Sequence, residues 1–305
     1  MRAVFIIRAK VVQILLFKTK TKMESLSLWN YSAAVLHLVA AIVTSIVLKK
    51  KSSRIVQMSR LKFDNEKVKQ SRIDIPVSLE DDAKVDLKFF VVFFFAFTSL
   101  AHFLYATDFF GLGWYSSQVL KRGWNPFRWA EYSISAGAMV YLISIASGTK
   151  DQVSAITSGL LVPSLMINGF TTERELNQNV IHEWSLQPTM KKPDIDPYII
   201  LSNLIPAWFL FATNWYIILS NYYKLSEEAK AAGKPFDTSV NFMVYSQLGF
   251  FTLFGLIQTY QVYRWYTLKR GRIEPSFIAY EKAYIILSAI TKLLLAITVG
   301  YTLRD

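Results

Sequence analysis

From Trp29 onward the chain alternates between long apolar runs and shorter polar connections. Seven runs, about residues 29–48, 89–110, 127–147, 153–172, 197–221, 240–264 and 275–303, hold at least 20 residues each and carry few internal charges. An α-helix rises 1.5 Å per residue, so about 20 residues cross a hydrocarbon core of about 30 Å. The pattern predicts an all-α membrane protein built as a seven-transmembrane-helix bundle over residues 29–305. Pro163 and Pro206 fall inside two of the runs, which membrane helices tolerate as kink positions. The one sizeable connection, residues 49–88, mixes charges, and its RIDIPVSLE portion alternates as a short strand pair does. Ahead of the bundle, residues 1–28 form a basic segment whose apolar run is interrupted too often to span. Its first 22 residues carry Arg2, Arg8, Lys10, Lys18, Lys20 and Lys22 and no acid, and no small-residue cleavage site follows them. An interfacial basic helix, a targeting extension and sequence upstream of a true start at Met23 are all compatible with it.

Composition strengthens this picture. A chain with 52% hydrophobic and 15% aromatic residues and a mean hydropathy of +0.27 is too apolar for a soluble domain. The net charge of +12 would elsewhere suggest nucleic acid, but here the basic residues flank apolar runs, so no nucleic-acid partner is expected. Their distribution also orients the bundle. Lys121, Arg122, Arg128, Arg174, Lys191, Lys192, Arg264, Lys269, Arg270 and Arg272 join the basic N-terminus on one side, which places the N-terminus in the cytoplasm and the protein in the cell membrane. Cysteine is absent, which rules out disulfides, thiolate metal sites and palmitoyl anchors.

Two intramembrane charges carry the candidate chemistry. Lys292 sits near the middle of the last run, where a charged lysine costs roughly 2.5–3.5 kcal/mol and marks a functional candidate. Glu131 is the sole carboxylate of the third run, with Arg128 one turn before it and Ser135 one turn after on the same stripe. A buried cation needs a buried partner, so Lys292 and Glu131 are expected to meet or to share a ligand. Two readings stand side by side: a structural ion pair locking two helices, or a desolvated amine able to condense with an aldehyde, with Ser288 one turn earlier as its hydrogen-bonding neighbour. His37 and His102 have no carboxylate or further histidine at ligand spacing, so no metal is expected.

The run RWAEYSISAGAM, from Arg128 to Met139, together with LSAITK, from Leu287 to Lys292, resembles the heliorhodopsin family. The resemblance implies a rhodopsin-type bundle and a photoreceptor rather than an enzyme. Lys292 would then carry retinal, all-trans in the dark, as a protonated Schiff base, with Glu131 as counter-ion and Ser288 and Ser135 beside the chromophore. The family's polar pocket falls on His37, His102 and Arg128. A glycine followed four residues later by glutamate matches Gly169 and Glu173 and brings Leu165 and Met166 to the chromophore. Trp208 follows Pro206 with one residue between, where the family has a proline–tryptophan pair, and is a candidate pocket wall. In the sixth helix Phe250, Phe254 and Gln258 are candidates. The resemblance and the long first loop imply a homodimer, and light sensing implies an unidentified signalling partner. The alternative function is light-gated or light-driven proton or ion transport, with Glu173 and Glu175 on the path. An outward pump would need a second carboxylate three turns beyond Glu131, and that position is Leu142.

Overall fold

The computed structural model describes residues 26–47, 55–63, 77–108, 119, 123–178, 197–233, 237–267 and 273–302. Most of the basic segment expected over residues 1–28 lies outside the described residues. The elements run α1 (Leu26–Val47), β1 (Ile55–Phe63), β2 (Val77–Asp86), α2 (Leu87–Ala106), α3 (Pro126–Ala146), α4 (Gln152–Gln178), α5 (Pro197–Ala231), α6 (Thr238–Thr267) and α7 (Ile273–Thr302). Among the described residues the fold is therefore the expected seven-helix bundle, with a strand pair in the first connection. β1 and β2 pair antiparallel from Ile55 opposite Asp86 to Phe63 opposite Val77, with an irregularity between Met58 and Ser59.

Local chemistry sets the helix starts. Asp86 accepts the Lys88 amide at 2.9 Å to open α2. Asn125 accepts the Arg128 amide at 3.1 Å and is followed by Pro126, whose missing N–H suits the first helical position, so α3 begins there. Asp151 accepts the Ser154 amide at 2.7 Å ahead of α4.

α3 is the central helix and packs against α2 and α4; α4 packs against α5, and α6 against α7. Its buried residues include Trp129, Glu131, Tyr132, Ser135, Met139, Val140, Leu142 and Ile143. In contrast α1 exposes Leu36, Val39, Ile42, Val43 and Ile46, which belongs in lipid rather than water. α1, α2, α4, α6 and α7 are each long and apolar enough to cross a membrane by themselves. α3 is interrupted by Arg128 and Glu131, whose burial against neighbouring helices makes the span tolerable.

Two helices outrun their apolar stretches. α4 ends at Gln178 and α5 at Ala231, against expected ends at residues 172 and 221. In α5 the extra residues include Lys224, Leu225, Glu227, Glu228 and Ala229, strong helix formers that continue the helix past the apolar region. Glu228 there meets Lys150 of the α3–α4 connection at 3.2 Å on the exposed surface.

Candidate functional site

α7 and α3 bring Lys292 and Glu131 together. The Lys292 Nζ donates to Glu131 Oε1 at 3.1 Å and to Ser288 Oγ at 2.9 Å. Thr98 of α2 donates to the same Glu131 oxygen at 2.6 Å, so three helices meet at one carboxylate. Lys292 and Glu131 are 2% and 4% exposed, which makes this a buried pair whose rupture would strand a charge. The Tyr132 ring lies 5.5 Å from the ammonium.

A cavity opens beside this pair between α3, α4, α5, α6 and α7. Its walls are almost wholly apolar: Met139 and Val140 of α3, Leu165 and Met166 of α4, Trp208, Phe211 and Trp215 of α5, and Phe251 and Phe254 of α6. Tyr284, Ser288, Thr291 and Lys292 close it on the α7 side. Glycine is required at two points in the wall. A Cβ on Gly169 would stand 2.5 Å from the Trp129 ring, and one on Gly255 would stand 2.8 Å from the Trp208 ring. Trp208 is fixed by its indole N–H, which donates to Thr259 at 3.1 Å.

Leu165, Met166, Trp208, Phe254, Gln258, Ser288 and Lys292 thus share one cavity lining. Phe250 does not line it. At 100° per residue Phe251, Phe254, Gly255 and Gln258 fall within an arc of about 100°, and Phe250 lies about 40° outside that arc. Ser135 is fully buried one turn beyond Glu131 but is also outside the lining.

Arg128 does not join the histidines. It lies one turn nearer the start of α3, where its guanidinium donates to Glu173 Oε1 at 2.6 Å and pairs with Glu281 of α7. The guanidinium also lies 4.3 Å from the Tyr284 ring. Glu173 Oε2 accepts from the Trp129 indole at 2.7 Å and from the Asn125 amide at 3.1 Å. Glu281 accepts from the Asn125 side chain at 3.0 Å. This network ties the ends of α3, α4 and α7 together. Glu175, by contrast, meets Arg174 at 2.9 Å near the surface.

His37 of α1 and His102 of α2 stack with ring centroids 5.6 Å apart. Their Nδ1 atoms lie 2.7 Å from the Ala33 carbonyl and 2.8 Å from Asn30 Oδ1. Both partners accept, so each Nδ1 carries the proton and each Nε2 is left as an acceptor. Both Nε2 atoms are buried without a partner among the described residues.

Thr98, Glu281, Tyr132, Tyr284 and Phe251 were not singled out from sequence. Glu281 had a signal: it stands eleven residues, three helical turns, before Lys292, and Ser288 lies on the same stripe. Thr98 had none, because a threonine in an apolar helix is as often bonded to its own backbone.

Fold and site together define a seven-helix membrane bundle with an ion-paired lysine beside an aromatic cavity. The heliorhodopsin family model matches residues 26–302, and the chain belongs to that family. Comparison with curated proteins finds no match. Membership makes this an integral membrane protein of the retinal-type, light-responsive class and implies a retinal chromophore. The residues present fit such a group: a buried primary amine for an aldehyde, a carboxylate to balance its charge, and an apolar aromatic cavity for a polyene.

Proposed function

We propose that this heliorhodopsin is a light sensor in which Lys292 holds retinal covalently, all-trans in the dark, and a conformational change carries the signal. When bound, the retinal supplies visible absorption and light-driven isomerisation. Glu131 keeps a negative charge beside the linkage nitrogen and so favours its protonated form. Ser288 accepts the nitrogen's hydrogen bond and orients it, while Thr98 holds the carboxylate in place. Trp208, Phe211, Phe251 and Phe254 exclude water and clamp the polyene. α5, α6 and α7 supply the walls on which a bound group that changed shape would press, and displacement of these helices would be the output.

The observation that carries this reading is the 3.1 Å contact of Lys292 with Glu131 at the wall of the aromatic cavity. Addition of all-trans retinal to the purified protein should produce a visible band with a reversible light-minus-dark difference, and voltage clamp should record no photocurrent. A steady photocurrent would favour the transport reading. That reading draws little from the two carboxylates expected on its path, since Glu173 sits in a cage of donors and Glu175 meets Arg174 near the surface.

The same proposal places a homodimer in the cell membrane, N-terminus in the cytoplasm, acting on an unidentified signalling partner. The orientation is supported by the basic residues that flank the α2–α3, α4–α5 and α6–α7 connections. Cross-linking in native-like bilayers should trap dimers, and a monomer alone would remove that part.

A further inference from the structure

One part of the cavity wall is polar without an internal reason. Asn214 of α5 lines the cavity and is 5% exposed. Its Nδ2 donates to the Ser158 carbonyl of α4 at 2.9 Å, which fixes the amide's orientation because a carbonyl only accepts. Asn214 Oδ1 is then left buried with no hydrogen-bond partner among the described residues. Ser158 Oγ, on the residue whose carbonyl Asn214 holds, is buried and partnerless in the same way. Val162, Phe211, Trp215 and Phe251 make the neighbouring lining apolar. Buried polar atoms are almost always satisfied in folded proteins, so an orphan oxygen on the cavity lining points to a group supplied from outside the chain.

The position of this oxygen says what the group is attached to. α7 carries the amine, and Asn214 stands on the α4–α5 side of the lining, held there by the Ser158 carbonyl, so a linear molecule joined at α7 that fills the cavity presents its far end to that side. We infer that Asn214, oriented by the Ser158 carbonyl, forms a hydroxyl-recognising subsite, and that the preferred chromophore is a ring-hydroxylated retinal, a polyene aldehyde bearing an alcohol at the end away from its aldehyde. The alcohol donates to Asn214 Oδ1, and no covalent bond is made or broken. This rests on the assignment of Lys292 as the attachment point.

The test compares all-trans retinal with its 3-hydroxy derivative on the full-length protein in nanodiscs, reading half-saturation from growth of the visible band. In parallel, retinol and 3-hydroxyretinol are titrated into Lys292→Ala, reading quenching of tryptophan fluorescence, since Trp208 and Trp215 line the cavity. The hydroxylated ligand should half-saturate at a concentration lower by about tenfold in both titrations, and the difference should shrink to within about twofold in Asn214→Leu. Equal half-saturation in the unsubstituted protein overturns the inference, and so does a preference that survives Asn214→Leu. Absence of a visible band with either aldehyde, alongside an intact fluorescence preference, would sink the Lys292 assignment and support the subsite.

Discussion

Replacing Glu131 by glutamine removes one charge and keeps nearly the same shape. With Lys292 Nζ 3.1 Å from Glu131 Oε1, two unit charges attract by about 5 kcal/mol at an effective dielectric of about 20. One pH unit corresponds to about 1.4 kcal/mol, so the full loss is about four pH units. The glutamine oxygen can still accept a hydrogen bond, which returns part of this and leaves an expected displacement of about two to four units. The sign follows from which form the anion favours. Glu131 stabilises the protonated linkage, so Glu131→Gln should lose that proton at lower pH, and the visible band should give way to near-ultraviolet absorption earlier in an alkaline titration. Any fraction still protonated should absorb farther to the red. Ser288→Ala should move the midpoint in the same direction but less, because a hydroxyl only hydrogen-bonds. Spectrophotometric titration of the reconstituted pigment is the assay. A Glu131→Gln midpoint within about half a unit of the unsubstituted protein, with unchanged colour, would refute the electrostatic reasoning.

Arg128→Met leaves Glu173 and Glu281 buried without the guanidinium between them and should destabilise the bundle by about 3–5 kcal/mol, read from unfolding in detergent by circular dichroism. Gly255→Ala should drive a Cβ into the Trp208 ring, at a cost of about 1–3 kcal/mol and with a lower pigment yield; adding Trp208→Leu should restore the yield. His37→Phe and His102→Phe should change the decay rate of the light-induced state more than the peak position, since both histidines lie between α1 and α2 and outside the cavity lining. Flash photolysis and steady spectra separate the two effects.

The seven helices were legible because a span in lipid must be long, apolar and sparing of charge, and each of those properties is local to the sequence. Lys292 and Glu131 were legible for the same reason, since isolated charges stand out where charge is costly. The extension of α5 to Ala231 was not, because beyond the apolar run the helix depends on propensity in Lys224 to Ala231 rather than on hydropathy. Phe250 and Phe251 differ only in which side of α6 they occupy, and that is set by how α6 packs on α5 and α7. Glu173 reads in sequence as one more acid near a helix end. Its cage of Arg128, Trp129 and Asn125 exists only once α3 lies against α4.

The most direct measurement is on Lys292→Ala with all-trans retinal. Lys282 is ten residues earlier on α7, about 15 Å along the helix axis, too far to take over the same linkage. The account predicts a folded protein with an unchanged helical circular dichroism signal and no visible band, whereas the unsubstituted protein gives a band that hydroxylamine bleaches. A visible, hydroxylamine-resistant pigment in Lys292→Ala would contradict it.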